Sequence, residues 1–358
     1  MRPLRNFCEL CEYDMKSKNG SILILTLWVL SFLTIFAVGL SHNVSVQLRM
    51  ASHFQDRLKA YYLANAGIER AIVELTADQT PACDSLNEAW ANNEEFFKEA
   101  PVGNGYINLS YVMTGEVEVE GGEEDESDDA EKVTLYGVMD ESSKVNINKV
   151  SADILEILME RIAELDKNEA AELANAIVDW RDTDIVISPG GAESNYYEGL
   201  KVPYECKNGE FQVIEELLLV KGMTPEIFSK LQSVITIYGE GKININTVDA
   251  TTLYGLGLDM DFAEAIVEFR QGGDTEIGTD DDNIFTTTGE LRDVGPFFTD
   301  ESTQINYILD TLTVKSDIFR INSFGIFETG QRRLQRNIVC VVKRQKAAPP
   351  EILYWREN

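Results

Sequence analysis

Twenty consecutive residues without a charge, Ser21 to Leu40, restrict this chain more than any other feature. At the standard helical rise such a run spans about 30 Å, the hydrocarbon thickness of a bilayer. Gly20 stands just before it, and a leader with Arg2, Arg5, Lys16 and Lys18 precedes the glycine. Basic residues on that side favour an N-in orientation, leaving everything after His42 outside. A secretory signal has a shorter apolar core and ends in small residues at its cleavage site; Ser41-His42-Asn43 is a poor one. Gly20 can therefore open an uncleaved single-pass anchor or mark a cut made in front of the apolar segment.

The pattern continues past the bilayer edge. After Leu40 no proline occurs until Pro81, and no glycine until Gly67. Ala51, Phe54, Leu58, Tyr61, Asn65, Ile68, Ile72 and Leu75 recur in steps of three and four, one face of a helix. The spacing predicts one helix from Ser21 to about Asp78, roughly 85 to 90 Å long. Its first third is apolar all round and the rest is amphipathic. A plain anchor does not require that design, whereas a subunit that later packs its helix into a fibre does.

Basic leader, Gly20, apolar helix and amphipathic extension together resemble the class III signal of type IV pilins and type II secretion pseudopilins. The resemblance implies a membrane prepilin peptidase that cuts Gly20–Ser21 on the cytoplasmic side and methylates the new N-terminus. Ser21 stands where that family usually has phenylalanine or methionine, and Leu25 where it usually has glutamate. A glutamate in the bilayer is costly unless paired; in these fibres the family pairs it with the N-terminal amine of a neighbouring subunit. A subunit lacking it suits the fibre tip. The missing glutamate and the stretch Ala64-Asn65-Ala66-Gly67-Ile68-Glu69 resemble the K-type minor pseudopilin of type II secretion.

Charge narrows the function further. With 31 basic and 61 acidic residues the chain carries a net charge of −30. Such a surface repels phosphate backbones and anionic headgroups, and suits divalent cations or a basic partner. The two histidines, His42 and His53, lie close to the apolar run, and no nucleophile constellation or nucleotide motif occurs, so an enzyme is not expected. Cys8 and Cys11 fall in the leader, without a second pair at zinc-site spacing. Cys83, Cys206 and Cys340 leave two readings open, a Cys83–Cys206 disulfide or three buried thiols.

Residues 81–140 read as the first part of an α+β domain: a helix from about Leu86 to Lys98, then strands at 106–120 and 132–140 flanking the densely acidic run 121–132. Residues 306–358 read as strands, with Glu328-Thr329-Gly330 as a hairpin turn. One face of that hairpin would carry Phe319, Ile321 and Ser323. All these strands are expected to form one antiparallel sheet against the long helix, as in pilins, leaving 1–20 as leader and 21–80 as the helix.

Residues 141–305 repeat themselves. "KVNINKVSADIL" (144–155) matches "KININTVDATTL" (242–253), "ANAIVDWR" (174–181) matches "AEAIVEFR" (263–270), and "FQVIEELLLVKG" (211–222) loosely matches "FTTTGELRDVG" (285–295). Three blocks in one order indicate two copies of a helical unit, with Ser151 or Thr247 as helix caps. The unit resembles a helix-hairpin-helix module, so a membrane-anchored DNA-binding protein is one alternative function. A minor subunit of a type IV pilus is another. The hairpin turns "KGMTPEI", "LGLDMDF" and "VGPFFTD" are flanked by acidic residues or proline, which argues against nucleic acid. K-type pseudopilins share this duplicated insert.

"DWRDTDIVISPGGAESNYYEG" (179–199) carries the densest chemistry. Asp182 and Asp184 alternate past a helix end, and Glu193 follows a glycine-rich turn, an irregular oxygen-rich set of the kind calcium prefers. The competing reading has Asp182 capping a turn and Glu193 paired with Arg181. Asp280 and Asp282 form a second, weaker candidate in "GGDTEIGTDDDNIF". The K-type resemblance associates calcium with the tip protein; its role is expected to be structural, because no positioned water activator or general base is visible. It also implies I- and J-type minor pseudopilins as partners through the N-terminal helix, inner-membrane anchoring with the bulk in the periplasm, and help in exporting folded exoproteins.

Overall fold

The computed structural model describes residues 18–77, 80, 82–114, 132–294, 308–330, 332–345 and 348–358. Most of the leader, the strand expected at 115–120 and the acidic run 121–131 lie outside them. The chain divides into two compact units between Leu58 and Lys59. In the first, the helix α1 (Lys18–Ala77) carries Leu25, Trp28 and Phe32 with 65, 75 and 68 % of their surfaces exposed. Its apolar segment has a mean hydropathy of 2.5 and is long enough to cross a membrane. Apolar residues on every side of a helix have no stable place in water and are at home in lipid.

In the second unit α1 continues to Ala77 and is followed by α2 (Glu94–Phe97), β1 (Ala100–Val102), β2 (Gly105–Leu109), β3 (Tyr111–Thr114), β4 (Lys132–Leu135) and β5 (Met139–Asp140). A first helical stretch holds β6 (Val145–Asn146), α3 (Ala152–Arg161), α4 (Lys167–Arg181), α5 (Ser194–Glu198), α6 (Pro225–Leu231) and β7 (Ile235–Thr236). A second holds β8 (Ile243–Asn244), α7 (Ala250–Gly255), α8 (Met260–Arg270) and β9 (Leu312–Thr313). The long strands β10 (Ile318–Thr329) and β11 (Arg332–Lys343), then β12 (Glu351–Glu357), close the chain.

The sheet runs β1-β2-β10-β11-β12, antiparallel throughout, with β5 also paired to β10. Two expectations are corrected. The helix over Leu86–Lys98 shrinks to one turn, because Trp90 is drawn into the core edge-on to Phe319 at 5.0 Å. Its carbonyl then accepts from Val138 N (2.8 Å), and that of Ala91 from the Tyr111 hydroxyl (3.1 Å). The strand pair expected over 106–140 is divided: β3 and β4 form a ribbon of their own, while β2 and β5 join the main sheet. Ser110 is the break, its carbonyl taken by Asn322 Nδ2 at 3.1 Å. The hairpin between β10 and β11 turns at Gly330, whose φ of 61° suits a residue without a Cβ.

Contact between α1 and the sheet uses smaller residues than the apolar periodicity named. The buried stripe is Ala60, Ala64, Gly67, Ile68, Ala71 and Leu75, with Tyr61 and Ile72 only flanking it. In the first unit, Phe54 and Leu58 are exposed. The shift has a steric cause. Strand β10 comes so near that a Cβ on Gly325 would collide with the Ala60 carbonyl and the Ala64 amide. One on Gly67 would meet Ser323 Oγ, which donates to Ala64 O at 2.8 Å. Small residues let two backbones meet where large ones would hold them apart.

The two helical stretches share one core and repeat the same bonds. Asn148 and Phe211 exchange side-chain amide and backbone bonds (3.0 and 2.8 Å), as do Asn246 and Phe285 (3.0 and 2.8 Å). Arg181 donates to the carbonyls of Ile147 and Val150, and Arg270 to those of Ile245 and Val248. Ser151 caps α3 as expected, but Asp249 (2.6 Å to Thr252 N), not Thr247, caps α7. Thr247 is needed elsewhere: its hydroxyl donates to Asp140 at 2.5 Å. Ile308 and Leu312 pack in the helical core. Cys206 and Cys340 are free thiols, so the Cys83–Cys206 disulfide is absent.

Asp140 ties the sheet to the second helical stretch. Its buried carboxylate accepts from Thr247, Ser316 Oγ (2.5 Å), Ser142 N (2.8 Å) and Asn244 Nδ2 (3.3 Å). Burial pushes its pKa up to about 6, with nearby Asp84 adding repulsion and the hydroxyl donors opposing the rise. A folded-state value above the unfolded one means that the folded protein holds this proton more tightly. The resulting stabilisation is complete below about pH 4 and is lost as pH rises through about 6, for a total of about 3 kcal/mol. Denaturant midpoints of the full chain in detergent should therefore rise between pH 7 and pH 5, and Asp140→Asn should flatten that rise. An equal slope in wild type and variant would exclude Asp140 as the source.

Candidate functional site

The acidic loop begins where α4 ends. Asp166 caps the helix start through Asn168 N (2.8 Å) and Glu169 N (3.0 Å), and Arg181 locks its end onto two carbonyls. Beyond it, Asp182 Oδ1 accepts from Asp184 N (3.2 Å) and Asp184 Oδ1 from Val186 N (2.7 Å), two successive Asx turns. The buried Asp179 carboxylate accepts from Ser188 N (3.1 Å). Gly190 has a φ of 75°, and its carbonyl accepts from Lys221 Nζ at 2.8 Å. No side chain fits at Gly191, where a Cβ would strike the Asp179 carboxylate.

This folding carries Glu193 inward. It is 3 % exposed, and neither of its carboxylate oxygens has a hydrogen-bond partner. Oxygens of Asp182, Asp184 and Glu193 lie within 4.8 Å of one another. Two oxygens bound to one calcium at about 2.3–2.6 Å each can stand up to about 5 Å apart, so the spacing fits such an ion. Burial, then the charges of Asp179 and Asp182, raise the Glu193 pKa; burial and Asp184 raise that of Asp182. Three neighbouring carboxylates, one of them buried and unbonded, make a site that a divalent cation would complete.

The competing local reading holds in one half: Asp182 does cap a turn, but Arg181 spends its guanidinium on backbone carbonyls, not on Glu193. Asp280 and Asp282 are not brought into such a cluster among the described residues. Asp282 accepts from Gly278 N (2.9 Å) and Thr279 N (3.3 Å), its pKa raised by burial, while Asp280 is exposed. Asn208 was not legible as part of the first site. Its Nδ2 donates to Asp184 O at 3.2 Å and its Oδ1 is buried without a partner. A φ of 46° at this asparagine, in the left-handed region, was its only local mark.

Gly222 has the positive φ (85°) of a tight turn, but Lys221 donates to the carbonyls of Gly190 and Gly191. The cation beside that turn is already engaged.

A long apolar helix whose continuation packs by small residues on an antiparallel sheet is a recognisable fold. The solved GspK-GspI-GspJ complex of the enterotoxigenic Escherichia coli type 2 secretion system contains a chain of the same fold. The match has a TM-score of 0.61 and 17 % identity, and covers 87 % of this chain and 99 % of that one. Residues 132–240 match the model of the first domain of type II secretion system protein K. Type II secretion system protein K of Aeromonas hydrophila is 26 % identical over 285 residues, 71 % of this chain and 76 % of the relative. That of Pectobacterium carotovorum subsp. carotovorum is 27 % identical over 273 residues, 72 % and 76 % of the two chains. Together these matches support a minor pseudopilin of the type II secretion system, similar to its protein K.

Proposed function

We propose that this minor pseudopilin caps the tip of a periplasmic pseudopilus and helps to initiate it, so that folded proteins are pushed across the outer membrane. Leu25 carries the reading. At the position where fibre subunits hold a glutamate for their neighbour's N-terminal amine, this chain offers a hydrocarbon side chain, so it has no charge with which to join a subunit ahead of it. I- and J-type minor pseudopilins are the partners, gripping α1; the solved relative of the same fold comes from a complex of that composition. The apolar part of α1 holds the subunit in the inner membrane until assembly, with the rest in the periplasm. An inserted, duplicated helical domain beginning at residue 141 is supported by the paired asparagine and arginine bonds of the described residues up to 294.

Prepilin peptidase cuts Gly20–Ser21, a bond in the first turn of α1, and methylates Ser21. Calcium fits the cluster of Asp182, Asp184 and Glu193 and would serve to fix the loop. Asn208, bonded to Asp184 O and with its own Oδ1 buried and unpartnered, would add a carbonyl oxygen. Asp280 and Asp282 remain a weaker second candidate, because the loop's own amides already use Asp282. Intact mass of the chain recovered from membranes tests the first step: co-expression with the peptidase should remove residues 1–20 and add a methyl, and an unchanged mass would leave a plain anchor. Leu25→Glu should permit incorporation within the fibre, read as copies along isolated pseudopili. Incorporation confined to the tip despite the glutamate would remove Leu25 as the determinant.

A further inference from the structure

Immediately after Asp184 the chain exposes three β-branched apolar side chains in a row. Ile185, Val186 and Ile187 are 80, 70 and 55 % exposed. Scattered exposed aliphatics need no explanation, but a contiguous triplet on a water-facing domain does. Looseness does not account for it, since the segment is tied down on both sides. The two Asx turns precede it, Asn208 Nδ2 holds Asp184 O, Ser188 N is bound by Asp179, and Asn175 Nδ2 donates to Pro189 O at 2.8 Å. The backbone is fixed so that the apolar side chains point away from the core. A surface made rigid before contact loses little conformational entropy when it docks.

We propose that Ile185, Val186 and Ile187 form a docking knob for a protein partner whose facing surface is an apolar socket bordered by lysine and arginine. Charge selects that partner. Asp182 and Asp184 flank the knob on a chain of net charge −30, so a basic rim is attracted to it. An anionic lipid surface is repelled by the same charges. A second copy of this chain would set Asp182 and Asp184 against themselves. A divalent ion among the three carboxylates would leave one negative charge there and the remaining excess untouched, so the knob does not depend on the calcium reading.

The test places photoreactive p-benzoylphenylalanine at Val186 of the full-length chain in secreting cells. The expected adduct is to one protein, at an apolar surface beside lysine or arginine. That protein, once purified, should bind the full-length chain in detergent. Its affinity should fall at least about tenfold between low and moderately high salt, as a charge-bordered contact requires. Ile185→Asp combined with Ile187→Asp should lower it by at least about tenfold while the unfolding midpoint stays unchanged; Val186→Ser serves as the milder variant. Adducts confined to phospholipid, adducts to another copy of the chain, salt-insensitive binding, or binding indifferent to these substitutions would each overturn the proposal.

Discussion

Calcium added to the metal-free full-length chain in detergent is expected to raise its unfolding midpoint by about 5–10 °C, and Glu193→Ala to abolish the gain. An ion at about a hundred times its dissociation constant stabilises the folded state by about 2.7 kcal/mol, and each kcal/mol moves a domain of this size by about 2–4 °C. Glu193 governs the effect because both its oxygens are buried and unbonded, so an ion supplies contacts that nothing else offers. Glu193→Gln should act with opposite signs in two buffers. Under chelator it relieves repulsion from Asp179 and Asp182 and stabilises the fold; with calcium it removes a ligand and lowers affinity. The raised pKa of Glu193 points the same way, since metal-free stability should rise as pH falls toward the ordinary carboxylate range. A midpoint indifferent to calcium, or an equal gain in Glu193→Ala, would reject the site.

Gly325→Val should cost about 3 kcal/mol or more, a large share of the about 5–15 kcal/mol that holds a domain folded. The obstruction is backbone, the Ala60 carbonyl and the Ala64 amide, neither of which can swing aside as a flexible side chain would. Widening the gap would strip contacts from the stripe Ala60, Ala64, Ile68 and Ala71, and would break the bond from Ser323 Oγ to Ala64 O. Gly39→Ala is the contrast, because a Cβ there meets nothing within 4 Å. Chemical denaturation of the two variants gives the comparison, and a Gly325→Val midpoint equal to wild type would show that α1 and β10 can separate without loss.

Much of the molecule follows from short-range pattern. The uncharged run, the absence of proline before Pro81 and the three- and four-residue spacing dictate α1, because an unbroken backbone ladder needs only compatible neighbours. Alternation along 318–343 dictates a hairpin whose buried face holds Phe319, Ile321 and Ser323, since side chains of a strand point to opposite faces in turn. The internal repeat is equally legible, and it foretells matching bonds at Asn148 and Asn246. Residue type and spacing single out Asp182, Asp184 and Glu193 as one group, and their oxygens do lie within 4.8 Å of one another.

Other features depend on groups far apart in the chain. Periodicity names large apolar residues as the packing face of α1, whereas proximity to Gly325, more than 250 positions away, selects alanines and a glycine. Asp282 stands as a second, weaker calcium candidate by residue type until the loop folds and its own amides occupy the carboxylate. Asp140 and Thr247 carry no local mark of their bond, and Trp90 leaves an expected helix because Phe319 offers it a core. Local sequence determined which elements form and where charge and hydrocarbon lie along the chain. Tertiary structure decided which face is buried, which carboxylates stay unbonded and how the helical stretches attach to the sheet, because burial and hydrogen-bond satisfaction are set by whichever distant segment arrives.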